Sequence, residues 1–442
     1  MELLLYTLRA VSGAIVEPAL MFTLILLGII LYVKNRKLVM MQRMILGESV
    51  NSTLELTLSQ IVLGILAGTI VSVILSSLGI MFGQNSGIIY LFGISIILMF
   101  VKPRFICFSY SGAILGAISI CTTLLSGFIP EIKENMIFNI DILYLMTFIG
   151  VLHIVEGILV MIDGDRGAIP VFTNKGGKIL GGFALNRYWV LSVAILISVL
   201  TNNEAINYIT TSIQTPNGWP FIKGSSGINI LALASISIMP LYAVIGYSTV
   251  TFTKGKREKA LSSGKYILCY GIILTLISQI AKFGIFAEVL VIAFAPFGHE
   301  MMIKIQRDKE DKLQPKFVSD EDGLVILEVV PKSIAYDLGL RAGNKVISIN
   351  DKIINSEAEM YVILKESLYN ANLKIEDSTG IIKELKVKTN KGKRLGMILV
   401  PRMVEEKDKV MIKDNKFSEV LNKLKSSDEE ETNETNHNKK NL

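Results

Sequence analysis

The chain has 442 residues, 51% of them hydrophobic, and a formal net charge of +6. A mean hydropathy of +0.49 excludes an ordinary soluble protein of this size and places the chain among polytopic membrane proteins. The charge excess is mild and no basic face is interleaved with aromatics, which points away from nucleic acid. The three cysteines, Cys107, Cys121 and Cys269, all lie in apolar runs and form no disulfide or metal pattern.

Glu2 and a single Arg9 precede the first apolar run, with no small-x-small cleavage site, so an uncleaved anchor is expected. Residues 1–13 read as a short interfacial helix. Apolar runs predict spans at 14–33, 58–82, 86–101, 105–128, 140–162, 188–201, 228–250, 266–281 and 283–303. Several meet the length of roughly 17–25 residues needed to cross the hydrocarbon. The run 188–201 is short, and 266–303 reads either as a tight hairpin or as one span with a re-entrant piece. The expectation is a polytopic α-helical bundle of eight or nine spans over residues 1–305. Gly112 and Gly116, spaced G-x-x-x-G, predict close helix packing.

The loops divide by charge. Lys34, Arg36, Lys37 and Arg43 follow the first span, and Lys102 and Arg104 follow the third. Arg166, Lys175, Lys178 and Arg187 follow the fifth, and Lys254, Lys256, Arg257, Lys259 and Lys265 the seventh. Lys304, Arg307, Lys309 and Lys312 follow the last. The alternate loops hold few Lys or Arg, so the basic loops are expected on the cytoplasmic side. Nine crossings would put the N-terminus outside.

Three stretches carry residues with chemical potential. His153 and Glu156 share a helix face, and ionisable groups in a span are costly. They suggest a proton path, a metal site or, more simply, a hydrogen-bonded pair joining helices. His299-Glu300 opens an H-E-x-x-H pattern, but Ile303 stands where the second histidine belongs. The remaining histidine is His437, so a three-ligand zinc site is not expected and His299 and Glu300 are placed at the interface. The glycine-rich loop 163–187 lacks the P-loop spacing and is read as a folded loop touching lipid head groups or a partner. No metal or cofactor is expected, and no catalytic residues.

Residues 306–316 read as a charged linker, and 317–402 as a small α+β domain. Val325, Leu327 and Val329, then Val346, Ser348 and Asn350, alternate at period two. Between them SIAYDLGLRAGNK reads as a compact helix closed by Gly339 and Gly343. Residues 403–425 include a stretch with Phe417, Val420, Leu421 and Leu424 on one helical face. Residues 426–442 lack apolar residues except the last and are expected to be disordered.

The pattern V-x-x-V-x-x-x-S-x-A-x-x-x-G-L-x-x-G-x-x-V-I-x-I-N resembles the central part of bacterial PDZ domains. Ile326, Val329, Ser333, Ala335, Gly339, Leu340, Gly343, Val346, Ile347, Ile349 and Asn350 carry it. Asn344 and Asp351 depart from the usual Asp and Gly. The resemblance implies a groove that takes an extended peptide as an added strand. The G-L-G-F-like turn comes last, at Arg394, Leu395, Gly396, Met397 and Ile398, which implies a circularly permuted order. Helix 356–369 would form the opposite wall, with Met360, Ile363, Leu364 and Ser367 lining the groove or the core beneath it, and Gly396 would lie at the rim.

A helical bundle with one C-terminal PDZ-like domain is similar to the MinJ family of Gram-positive bacteria. Further likeness lies in DGDRGAIPVF…GGF and APFGHE. The family implies a non-enzymatic scaffold at the bacterial cytoplasmic membrane, at poles and septum, bridging DivIVA-type and MinD-type proteins in placement of cell division. Its partners would be membrane lipids and proteins of the division machinery, not nucleic acid. A PDZ-regulated intramembrane protease and a transporter are the alternatives; no convincing internal repeat supports the latter.

Overall fold

The computed structural model describes residues 2–46, 50–101, 103–129, 138–200, 215, 217–224, 234–367, 370–388 and 395–402. Arg394 and the two expected C-terminal stretches, 403–425 and 426–442, lie outside them. Eight helices build the N-terminal part: α1 (Glu2–Val16), α2 (Pro18–Leu46), α3 (Thr53–Leu78), α4 (Tyr90–Val101), α5 (Phe108–Ser126), α6 (Ile142–Asp163), α7 (Lys256–Ser278) and α8 (Ile285–Lys312). Their starts follow from the sequence. Ser52 accepts from the Glu55 N–H ahead of α3, and Asp141 from the Tyr144 N–H ahead of α6.

Among the described residues six helices, α2, α3, α5, α6, α7 and α8, are long and apolar enough to cross a membrane. This is a membrane protein, but the expected eight or nine helical spans are not found. The run 86–101 yields only the 12-residue α4, too short to span. A turn at residues 103–106 reverses it into α5, and the Ser95 hydroxyl is bonded to the Ile106 carbonyl. The described parts of the runs 188–201 and 228–250, residues 188–200 and 234–250, are strands rather than helices. They form β3 (Lys178–Leu200) and β4 (Ala234–Thr251), paired antiparallel from Phe183↔Thr251 to Leu200↔Ala234. Residues 266–303 do form a hairpin, α7 and α8 breaking at Gly284 with φ 106°.

Strand β3 is the centre of a five-stranded sheet. Besides β4 it pairs with β1 (Met81–Gly83), β2 (Ile169–Lys175) and β5 (Phe317–Val318). Its residues Trp189–Leu196 are all buried, which explains an apolar run without alternation. Helix α3 lies directly on it. A Cβ on Gly64 would come within 2.2 Å of the Val190 carbonyl oxygen, and one on Gly68 within 2.2 Å of that of Ser192. One turn further on, the Ser72 hydroxyl accepts from the Ala194 N–H at 2.8 Å. Four helical residues advance about 6.0 Å and two strand residues about 6.6 Å, so the two elements stay in step. Helix α1, expected at the interface, packs on α3, β3 and β4 through Leu3, Thr7, Val11 and Ala14.

Close glycine contacts also join α6 to α7. Gly157 and Gly264 face each other, as do Gly150 and Gly271, each within 3.0 Å of the other's carbonyl oxygen by its virtual Cβ. Gly112 and Gly116 make room for the side chains of Ile149 and Ile292, whose Cδ1 atoms would lie 2.1 and 2.9 Å from an added Cβ.

The C-terminal domain holds β6 (Leu324–Val329), α9 (Ile334–Asp337), β7 (Lys345–Ile349), β8 (Lys352–Ile353), α10 (Glu357–Glu366), β9 (Asn370–Glu376), β10 (Ile382–Lys388) and β11 (Met397–Leu399). The strand order is β10-β9-β7-β6-β11, with β8 beside β7. Asn350 and Asp351, both at positive φ (47° and 61°), make the two-residue turn between β7 and β8. That turn needs two residues tolerant of positive φ, which Asn and Asp are, so a glycine is not required at 351.

The domain does not hang from a free linker. Residues 306–312 continue α8, and Phe317–Val318 then join β3 at Gly181 and Leu180. Glu310 accepts from the Thr251 hydroxyl and the Phe252 and Thr253 N–H groups at 2.7–3.0 Å and pairs with Lys259. Lys256 Nζ is 2.7 Å from Glu328 of β6. Val325, Leu327, Ile398 and Val400 belong to the core cluster of the helical bundle.

Candidate functional site

Two places collect the residues singled out in the sequence. The first is around β11. Leu395, Met397 and Leu399 turn into the core of the C-terminal domain, where Met360, Ile363 and Leu364 of α10 meet them. Ile398 and Val400 face the opposite way, into the bundle. Ser367 caps the end of α10, bonded to the Ile363 carbonyl and to Asn350. Of the two places expected for the α10 side chains, groove or core, Met360, Ile363 and Leu364 take the core, together with Leu395 and Met397. Gly396 is not at a rim: its φ is 77°, and a Cβ there would lie 2.3 Å from Ser333 Cβ. Its carbonyl accepts from the Val330 N–H at 2.8 Å. Strand β11 is buried as a whole, Met397, Ile398 and Leu399 being only 1–2% exposed. It pairs with β6 on one side, and among the described residues no strand pairs with the other.

The second place lies inside the bundle, where the α4–α5 turn meets α6, α7 and α8. Cys107 Sγ is 3.0 Å from His153 Nε2. His153 Nδ1 is 2.8 Å from the Ile149 carbonyl, which can only accept, so Nδ1 carries the proton and Nε2 offers its lone pair. Tyr110 donates its hydroxyl proton to Glu300 Oε1 at 2.6 Å. Its oxygen, 3.1 Å from His299 Nδ1, is left to accept, which makes Nδ1 the protonated nitrogen there too. The ligand-type atoms of Cys107, His153 and His299 all fall within 4.8 Å of one another. Ser109 bridges His153 Nε2 (3.3 Å) and the Tyr270 hydroxyl (2.8 Å), and Tyr270 donates to the Ala295 carbonyl at 2.7 Å. Glu156 Oε2 is 3.9 Å from His153 Nε2, and Arg104 pairs with Glu300 at 3.1 Å.

His153 and His299 thus belong to one cluster, and His299 does not simply mark the exit of the last helix. The third donor, Cys107, is one that sequence reasoning had set aside. Its only signal was the polar sequence Cys107–Ser111 interrupted by a single Phe at the start of an apolar run.

The loop 163–187 proves to be structural. Asp163 and Arg187, 2% and 1% exposed, are hydrogen-bonded to each other. Trp189 Nε1 donates to the same carboxylate at 3.0 Å, and Arg187 reaches Ser59 at 2.8 Å. Arg257 holds Asp165 and the Met161 carbonyl. The end of α2, the α6–β2 turn and the start of α7 meet at this end, around a cavity of about 290 Å³ bordered by Gln42, Arg166, Lys256, Arg257 and Glu328. The Lys/Arg-poor segments meet at the other end, where Ile222 N–H binds the Leu78 carbonyl, Trp219 binds that of Ser76 and Gly224 N–H reaches Tyr144.

No protein-family model matches the chain, and no curated protein matches it.

Proposed function

We infer that the chain is a membrane-anchored adaptor and not an enzyme, its C-terminal domain being of the PDZ type in circularly permuted order. The observation that carries this is the position of β11 as the last strand of its sheet beside α10, in a domain clamped to the basic end of the bundle. An edge strand backed by a helix on the same core is how such domains add an extended peptide as a further strand. The clustering of Lys and Arg at the domain's end supports a cytoplasmic domain. Confinement to a surface raises the effective concentration of other membrane-bound partners. With the likeness to the MinJ family, the partners are division proteins of a bacterium, of the DivIVA and MinD types, at pole and septum.

The test uses the full chain in its own membranes, with photo-reactive residues placed at Lys332 and Lys365, both exposed. Division proteins are expected in the cross-links and in co-purified material, and lost when the chain is cut after Lys312. Retention of the same partners by the cut chain would show that the domain does not recruit them. Cysteine labelling at Lys178, Lys256 and Lys383 should succeed only from the cytoplasmic side.

A further inference from the structure

We propose that Cys107, His153 and His299 form a binding site for one transition-metal ion of the thiolate-preferring class, Zn²⁺ being the ion of choice. The argument begins with protons. Both imidazoles spend their Nδ1–H on an oxygen, the Ile149 carbonyl for one and the Tyr110 phenol for the other. The Nε2 lone pair of His153, a ring nitrogen of His299 and one sulfur then lie within 4.8 Å of one another, with the thiol proton and the Ser109 hydroxyl close by to satisfy them. A cation answers all three at once. Nδ1–H groups held by oxygen acceptors are also the usual outer support of metal-bound histidine, fixing tautomer and ring orientation.

Distances agree. Bonds of about 2.3 Å to sulfur and about 2.0–2.1 Å to nitrogen put tetrahedral ligand atoms about 3.3–3.7 Å apart. The observed atoms lie between 3.0 Å for the Cys107–His153 pair and the 4.8 Å limit of the group. One thiolate with two imidazoles suits zinc or copper and disfavours magnesium or calcium. Glu156 stands near enough to complete the fourth position. The site would tie the α4–α5 turn to α6 and α8. That explains why a short hairpin, with Arg104 at its tip paired to Glu300 of α8, is held against the bundle.

The experiment takes the full chain in detergent, stripped with a chelator and titrated with Co²⁺. The expected result is one Co²⁺ per chain, a thiolate-to-cobalt charge-transfer band, and bleaching by one equivalent of Zn²⁺. Cys107→Ser should abolish the band. His299→Ala should weaken binding strongly, and Tyr110→Phe, which touches only the outer support, by about 10–100-fold. Cys121→Ser and Cys269→Ser, at exposed positions, should leave it unchanged. Absence of the band from stripped wild-type chain that keeps its melting temperature would overturn the proposal, as would its survival in Cys107→Ser. The wild-type titration stands whether or not any variant folds.

Discussion

At the residue scale the most exacting pair is Asp163 and Arg187. Both are almost wholly buried, and Trp189 and Ser59 add hydrogen bonds, while Asp163 Oδ1 has only the Arg166 charge, 3.4 Å away. Removing one partner strands a buried charge, so Asp163→Asn should cost about 3–5 kcal/mol. Asp163→Leu with Arg187→Met should cost much less, because no charge is left alone. Thermal unfolding of the intact chain in detergent separates the two. In the C-terminal domain, Lys345 is 2.8 Å from Asp320. Partial burial pushes the Asp320 carboxyl up, but the Lys345 hydrogen bond and charge, with the Gly323 and Asp322 amides, outweigh it and hold it below its ordinary value. The Asp320 hydrogen bond in turn raises Lys345. A carboxyl held low stabilises the fold above its unfolded value and loses that contribution as pH falls through the folded one. A lysine held high contributes below its unfolded value and loses that as pH rises through the folded one. The segment around Gly323 should thus be flat in stability across neutral pH and loosen at both extremes, and Asp320→Asn should remove the acid limb; hydrogen exchange at that segment reads this. The intrabundle cluster was only half legible in the sequence. His153 with Glu156, and His299 with Glu300, stood out as ionisable groups in apolar runs. Cys107 did not, since its distance along the chain from either histidine follows no ligand spacing.

At the element scale, glycines decide which surfaces meet. Gly157→Ile should separate α6 from α7, because its first added carbon falls 2.7 Å from the Gly264 carbonyl oxygen. The expected outcome is loss of folded protein on size exclusion. Gly13→Ala, with nothing within 4 Å, should be neutral or slightly stabilising, as alanine is favoured over glycine inside a helix. Gly396→Ala combines a positive φ with the Ser333 collision, so it should lower the domain's melting temperature before it says anything about peptide binding. The helices were legible because apolar length is a strong signal. The two long strands were not: β3, buried on both faces from Trp189 to Leu196, shows an unbroken apolar run that periodicity cannot tell from a helix, and β4 is half-buried but mainly apolar. Two weaker signs were present: 188–201 is short for a helical span, and Ser235–Ile238 alternates polar and apolar residues. Pro240 within β4 also fits a strand with one unpaired edge.

For the whole molecule, the docking of the domain is the feature the sequence concealed, because a charged stretch reads as a tether whether or not it is helical. Lys256→Glu should loosen the domain from the bundle through repulsion with Glu328. Lys256→Glu with Glu328→Lys should restore it, and limited proteolysis between residues 312 and 323 measures both. The contact of α3 with β3 has its own consequence. Gly64, Gly68 and Ser72 meet Val190, Ser192 and Ala194, so helix and strand mesh like gears of two pitches, four teeth against two. A single inserted residue in β3 beyond Ala194 would turn every later side chain to the wrong face, and one in α3 would swing the small residues off the strand by about 100°. Lengthening is possible only in matched increments, four residues of helix with two of strand. Descendants of this chain can therefore adapt to thicker or thinner bilayers only in steps of about 6 Å.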